Sequence, residues 1–155
     1  MLHTTYANKF LELVAAKTAS IGLSGTCYLG FSSTTPNANG SNFSEPTASC
    51  YERIQLCVAS AIDYTDLWGE VANGALQNAK ELTSREWTAE GGSPTFTHFG
   101  IFENKTGGTP IFSDPFRNPN GEIDPETGLY PETTLTIPEG DVAVIRAGML
   151  QLTLN

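Results

Sequence analysis

Basic side chains are scarce in this sequence: 8 Lys and Arg stand against 17 Asp and Glu, for a formal net charge of −9. Binding to a nucleic-acid backbone rests on Lys and Arg neutralising phosphates. Here the basic residues are spread thinly, with no stripe or cluster, which argues against direct DNA or RNA binding and against an anionic membrane surface. Charged residues of both signs make up only 16%, below the quarter or so usual in soluble domains. The polar surface must therefore come from Thr, Ser, Asn and Gly, a composition that suits short strands and turns or a surface packed against neighbours.

Other absences narrow the reading further. No stretch approaches the roughly 20 apolar residues that span a bilayer. The N-terminus has neither a basic n-region nor a continuous apolar h-region, so it does not read as a signal peptide. Cys27, Cys50 and Cys57 are odd in number and lack C-x-x-C spacing. They read as small apolar residues in a reducing compartment, without a disulfide framework or metal site.

What is present fits one domain of 155 residues with an ordinary core, 39% of it hydrophobic. Residues 5–19 repeat apolar side chains at helical spacing (Tyr6, Phe10, Leu13, Val14), with Thr4 or Thr5 as cap and Gly22 as stop. From Gly25 onward the period changes to two. Cys27, Leu29 and Phe31 share one face of a strand, and Ile54, Leu56 and Val58 share one face of a second over 51–59. Residues 34–46 carry Pro36, Asn37, Asn39 and Gly40 and read as a turn-rich loop. Strands follow at Ala75–Ala79, 81–87 (which could equally be helical by propensity), 95–103 and from Ile111, while 64–70 could be a helical turn or a loop. Residues 114–132 hold four prolines and read as an extended irregular loop. Strands at 133–137, 142–146 and 149–154 close the chain.

One helix followed by many short strands predicts a mainly β fold, an antiparallel β-sandwich or open barrel with one N-terminal amphipathic α-helix. The expected organisation is a helical arm over 1–25 and a single β-rich domain over 26–155 with the long loop 114–132. The helix packs either on its own sheet or on a neighbouring subunit.

Chemistry is sparse. A nucleophile needs a base in contact with it, and the two histidines, His3 and His98, look isolated. Gly22-Leu23-Ser24-Gly25 lacks the second spaced glycine of a nucleophile elbow. Asn118, Asn120, Glu122 and Asp124 alternate across Gly121 in the manner of a calcium loop. They lack Asp at the first position and Glu at the twelfth, and Pro119 interrupts them. No pair among the 17 acids stands out as a catalytic couple. The expectation is therefore a non-enzyme with no catalytic residue, metal, cofactor or small-molecule ligand.

Three blocks carry a resemblance. The first is Tyr28-Leu29-Gly30-Phe31-Ser32-Ser33-Thr34-Thr35-Pro36, leading through Gly40 to Ser44-Glu45-Pro46 and Tyr51-Glu52-Arg53. The second is Thr97-His98-Phe99-Gly100-Ile101-Phe102-Glu103 with Thr106-Gly107-Gly108. The third is Ile137-Pro138-Glu139-Gly140-Asp141 with Ala147-Gly148-Met149-Leu150-Gln151-Leu152-Thr153-Leu154. Together they resemble a family of small structural proteins of tailed-bacteriophage virions, commonly labelled tail-fibre proteins. The resemblance implies a virion component made in the host bacterial cytoplasm, and the negative charge favours the outer surface of a DNA-filled particle. It would contact other virion proteins, such as the major capsid protein or tail proteins, and copies of itself.

Compactness, negative charge and the lack of shaft-like repeats make a capsid decoration (cement) protein the first expectation. A tail-fibre or tail/neck component is the alternative. A carbohydrate- or receptor-binding module stacking sugars on Trp68, Trp87 and Tyr130 is a third reading. Expected inter-subunit contacts are Tyr6, Phe10, Leu13, Val14, Pro36, Phe43, Phe116, Ile123 and Tyr130.

Overall fold

The computed structural model describes residues 2–15, 26–57, 75–118 and 120–153. Among them run α1 (Thr4–Val14), β1 (Cys27–Ser32), β2 (Ile54–Cys57), β3 (Ala75–Gln77) and β4 (Leu82–Thr83). After a 3-10 turn at Ala89–Gly91 come β5 (Thr95–Phe96), β6 (His98–Phe102), β7 (Phe112–Pro115), β8 (Leu135–Thr136), β9 (Val144–Ile145) and β10 (Gln151–Thr153). All pairings are antiparallel, in a four-stranded sheet of order β2-β1-β6-β7 and three two-stranded ones, β10-β3, β4-β9 and β5-β8. The result is the mainly β, sandwich-like arrangement expected, with one short helix at its N-terminal end.

The period-two residues of β1 point as expected, Leu29 and Phe31 into the core. Gly30 and Ser32 on the other face are buried too, because β1 lies inside the sheet and both its faces are covered. Gly30 stands directly opposite Gly100 of β6. A Cβ on Gly30 would come within 2.7 Å of Glu45 Oε1, and one on Gly100 within 2.6 Å of the Phe43 ring. The two missing side chains thus make the space that the 34–46 loop fills.

The core is a run of aromatic rings. Trp87 meets Phe96 at 6.0 Å between centroids, Phe96 meets Phe31 at 5.5 Å, and Phe31 meets Phe116 at 5.9 Å. Phe116 then meets Phe99 at 5.8 Å. Tilted and edge-on pairs at these separations add to the burial of apolar area.

The structure also redraws several boundaries. The expected helix start is one residue late: the His3 carbonyl accepts the Ala7 N–H at 2.9 Å, and α1 begins at Thr4. Both threonines lie inside the helix and not at its cap, and the Thr4 hydroxyl donates to the Ala38 carbonyl at 3.2 Å. Residues 16–25, with the expected stop at Gly22, lie outside the described residues, as do 58–74 with Val58, Leu67 and Trp68. The single strand expected over 95–103 breaks at Thr97. There the backbone N–H goes to Ser32 and the carbonyl accepts from Phe116, so β5 turns away to pair with β8 while β6 stays beside β1.

The loop expected over 114–132 is a hairpin. Its first two residues belong to β7, and Arg117 bridges Glu132. Phe116 O to Thr133 N (2.8 Å) and Asn118 N to Pro131 O (2.9 Å) extend the pairing. Pro115 is accommodated because β7 is the outer strand of its sheet, where a missing N–H costs no ladder bond.

Strands β3–β4 and β9–β10 run alongside each other, and their pairing is interrupted where the buried Asn78 takes over. Its amide donates to the carbonyls of Lys80 (2.7 Å) and Arg146 (2.9 Å), and its Oδ1 accepts the Leu150 N–H at 2.9 Å. Finally, Cys27 is disulfide-bonded, which corrects the reading of the cysteines as unbridged. The ladder places Cys57 opposite Cys27, a juxtaposition that register creates and sequence spacing does not reveal, while Cys50 is buried and free.

Candidate functional site

The polar residues of the recurrent blocks converge, but on a sealed cluster. Arg53 is buried against the Phe102 ring, its guanidinium carbon 3.3 Å from the ring centroid. Its Nε donates to Glu45 Oε1 at 2.8 Å, and Nη2 pairs with Glu45 Oε2. The remaining nitrogen, Nη1, donates to the carbonyls of Asn104 (2.6 Å) and Gly107 (2.9 Å). Tyr51 donates to Glu45 Oε1 at 2.6 Å and accepts the Phe31 N–H at 3.0 Å. Burial first, and then the adjacent Glu45 carboxylate, push the Tyr51 phenol upward. The cluster ties the 34–46 loop, β1 and the 103–108 turn together. Gly107 and Gly108 take positive φ in that turn (66° and 74°), where a side chain would be strained. Each side-chain nitrogen and oxygen of Arg53, Glu45 and Tyr51 has a partner inside the domain, so the group has a structural role.

A second polar group joins residues 110 positions apart. His3 Nδ1 lies 3.1 Å from the Ala38 carbonyl, which can only accept, so Nδ1 carries the proton. Nε2 is then the acceptor for the Ser113 hydroxyl 3.0 Å away. This is the nucleophile–base–orienter order of a hydrolase, and it eluded the sequence reading because only the fold brings the two residues together. Yet His3 is 2% exposed and Ser113 5%. The pair is a latch that holds the first residues against β7, together with His3 N–H to Ile111 O at 3.0 Å and the Leu2–Phe112 bridge. Burial holds the His3 imidazole below its usual range, outweighing the Ala38 hydrogen bond that pulls the other way. His98 is likewise lowered by burial, against the pull of Glu132 and Asp114.

The open surface lies elsewhere. A groove of about 540 Å³ runs between β7, the 130–135 segment and the 144–150 turn. Phe99, Phe116, Leu135, Val144 and Met149 give it an apolar lining, with Arg117, Arg146 and Asp114 as its charged members. Beside it stands the hairpin finger 118–131. From 122 to 134 every residue is exposed, including Ile123, Leu129 and Tyr130.

The expected contact residues divide three ways. Tyr6 is turned inward, donating to Glu103 at 2.8 Å, and its phenol is raised to about 12 by burial and then by that carboxylate. Phe43 packs edge-on against Phe102 at 5.1 Å, and Phe116 joins the aromatic core while lining the groove; Pro36 is half-buried. Ile123 and Tyr130 are open, and the side chains of Phe10, Leu13 and Val14 lie outside the described set. Sequence periodicity gave no hint of Val144 and Met149, whose exposure depends on how β9 and its turn sit. The calcium-like residues serve the turn itself: Asn118 Oδ1 accepts the Asn120 N–H at 3.0 Å and Asp124 Oδ1 the Glu126 N–H at 2.8 Å. That last bond holds Asp124 below the usual carboxylate range. Among the described residues no cluster of His, Cys, Asp or Glu could hold a metal ion. Trp87 is buried against Tyr51 and Phe96 and is not available to stack on a sugar, while Trp68 lies outside the described residues.

Comparison with known families gives the class of this molecule: a structural protein of the phage virion. The chain belongs to the family described as podophage GP4 fiber I protein gp80, whose model matches residues 1–124. The match runs from α1 through β7 to the outgoing arm of the finger and covers the first two recurrent blocks; the third lies beyond it. No curated protein matches the chain. No helix among the described residues is long and apolar enough to cross a membrane.

Proposed function

We propose that this protein is a non-enzymatic structural subunit of the tail-fibre apparatus, working on the outside of the particle through contacts with other virion proteins. The observation that carries this reading is the match to a phage fibre family over residues 1–124. It favours the fibre over the capsid-surface role that compactness and charge first pointed to. The fold agrees with a contact role: the serine–histidine pair found among the described residues is enclosed, and the open groove is lined by apolar side chains and two arginines. Heads and tails separated from purified particles provide the test. The chain should travel with tails and be labelled there by antibody in electron micrographs. Its recovery on tailless heads would return the capsid-surface role to first place.

A further inference from the structure

We propose that the finger of one copy docks in the apolar groove of a second copy. Each half is left open by the single chain. Ile123 at the finger is 50% exposed and Met149 at the groove 54%, with Leu129, Tyr130, Val144 and Val142 exposed around them. Exposed apolar side chains gathered on a groove and on the finger beside it mark a candidate interaction site.

Charge selects the occupant. Residues 118–131 hold Glu122, Asp124 and Glu126 and no base. The groove holds Arg117 and Arg146 against a single acid, Asp114. Most other cations are already engaged: Arg53 with Glu45, Arg85 and Lys105 with Glu52, and Lys9 over the Tyr6 ring. Arg146 makes no ion pair among the described residues, and Arg117 Nε is buried without an acceptor there while Nη1 donates to the Tyr130 carbonyl at 2.9 Å. Two copies at −9 each repel one another in most orientations. Bringing the acidic apolar finger to the arginine-flanked apolar groove is the orientation that relieves the repulsion and buries both apolar surfaces together. The finger tip around Ile123 and the groove are different surfaces that meet only at Tyr130, so the contact is head-to-tail or a reciprocal exchange.

Sedimentation velocity of the full chain over a range of concentrations tests this, without reference to its place in the particle. The wild type should self-associate. Ile123→Asp (finger) and Met149→Asp (groove) should each weaken association by about tenfold or more, as loss of a central apolar contact does. Each variant keeps the half that the other lacks, so mixing the two should restore a hetero-association that neither shows alone. Arg146→Glu gives a second groove lesion at an exposed site should Met149→Asp prove unstable, with circular dichroism as the folding control. A wild type that stays monomeric, variants that associate like the wild type, or a mixture that fails to recover would each overturn the proposal.

Discussion

Arg53 shows how a residue can be legible in the sequence while its role is not. The Tyr51-Glu52-Arg53 block and Glu45 are conspicuous as a motif, yet nothing in their spacing says that they meet Phe102 and the carbonyls of a turn some 50 residues on. Removing one partner of a buried pair strands the other. Arg53→Ala is therefore expected to lower stability by about 3–5 kcal/mol, measurable by urea unfolding. Asn78→Ala should cost about 1–3 kcal/mol, since it removes three hydrogen bonds to the backbone of Lys80, Arg146 and Leu150, the last of them buried. His3 makes the stability pH-dependent. The unfolded chain takes up the imidazole proton near 6.5, whereas burial delays uptake in the folded chain to lower pH. In that window the unfolded state binds more protons, so stability falls as the pH drops below about 6.5 and levels off above it. His3→Gln should flatten the curve of melting temperature against pH. Because His98 is also lowered, the difference between the two proteins is the readout.

At the scale of elements, period-two patterning located β1 and β2, although β1 is buried on both faces. It failed where hydrogen bonding decided the outcome. Thr97 splits one apolar run into two strands because its two backbone groups reach Ser32 and Phe116. Prolines made 114–132 look structureless, although Pro115 sits harmlessly on an outer strand and the ladder continues past it to Arg117 and Glu132. The finger is thus a local hairpin with its own hydrogen bonds. Replacing residues 119–130 by a short Gly-containing turn should leave the melting temperature within a few degrees of the wild type, while abolishing self-association. A collapse of the fold would show instead that the finger supports the domain. The N-terminal helix behaves in the opposite way. His3, Thr4 and Tyr6 are bonded to Ile111, Ala38 and Glu103, so this end belongs to the domain, although Leu11 further along is 62% exposed.

For the molecule as a whole, the class was legible only in the resemblance of three sequence blocks, while low charge content and short period-two runs pointed to the mainly β fold without any knowledge of contacts. The cysteine bridge and the open groove were hidden, since which residues face each other is a property of register and of how separate strand pairs pack. The short antiparallel bridge from Leu2 to Phe112 carries a further consequence. Strand β7 is the margin of its sheet, and a bare margin presents unpaired amide and carbonyl groups that recruit another chain into cross-β stacking. Leu2 and His3 occupy part of that margin, and Pro115 withholds a donor from the rest. A chain lacking residues 1–15 should therefore do more than melt earlier: it should accumulate thioflavin-positive aggregate at concentrations where the intact chain stays clear, because the first residues also guard the sheet against uncontrolled polymerisation.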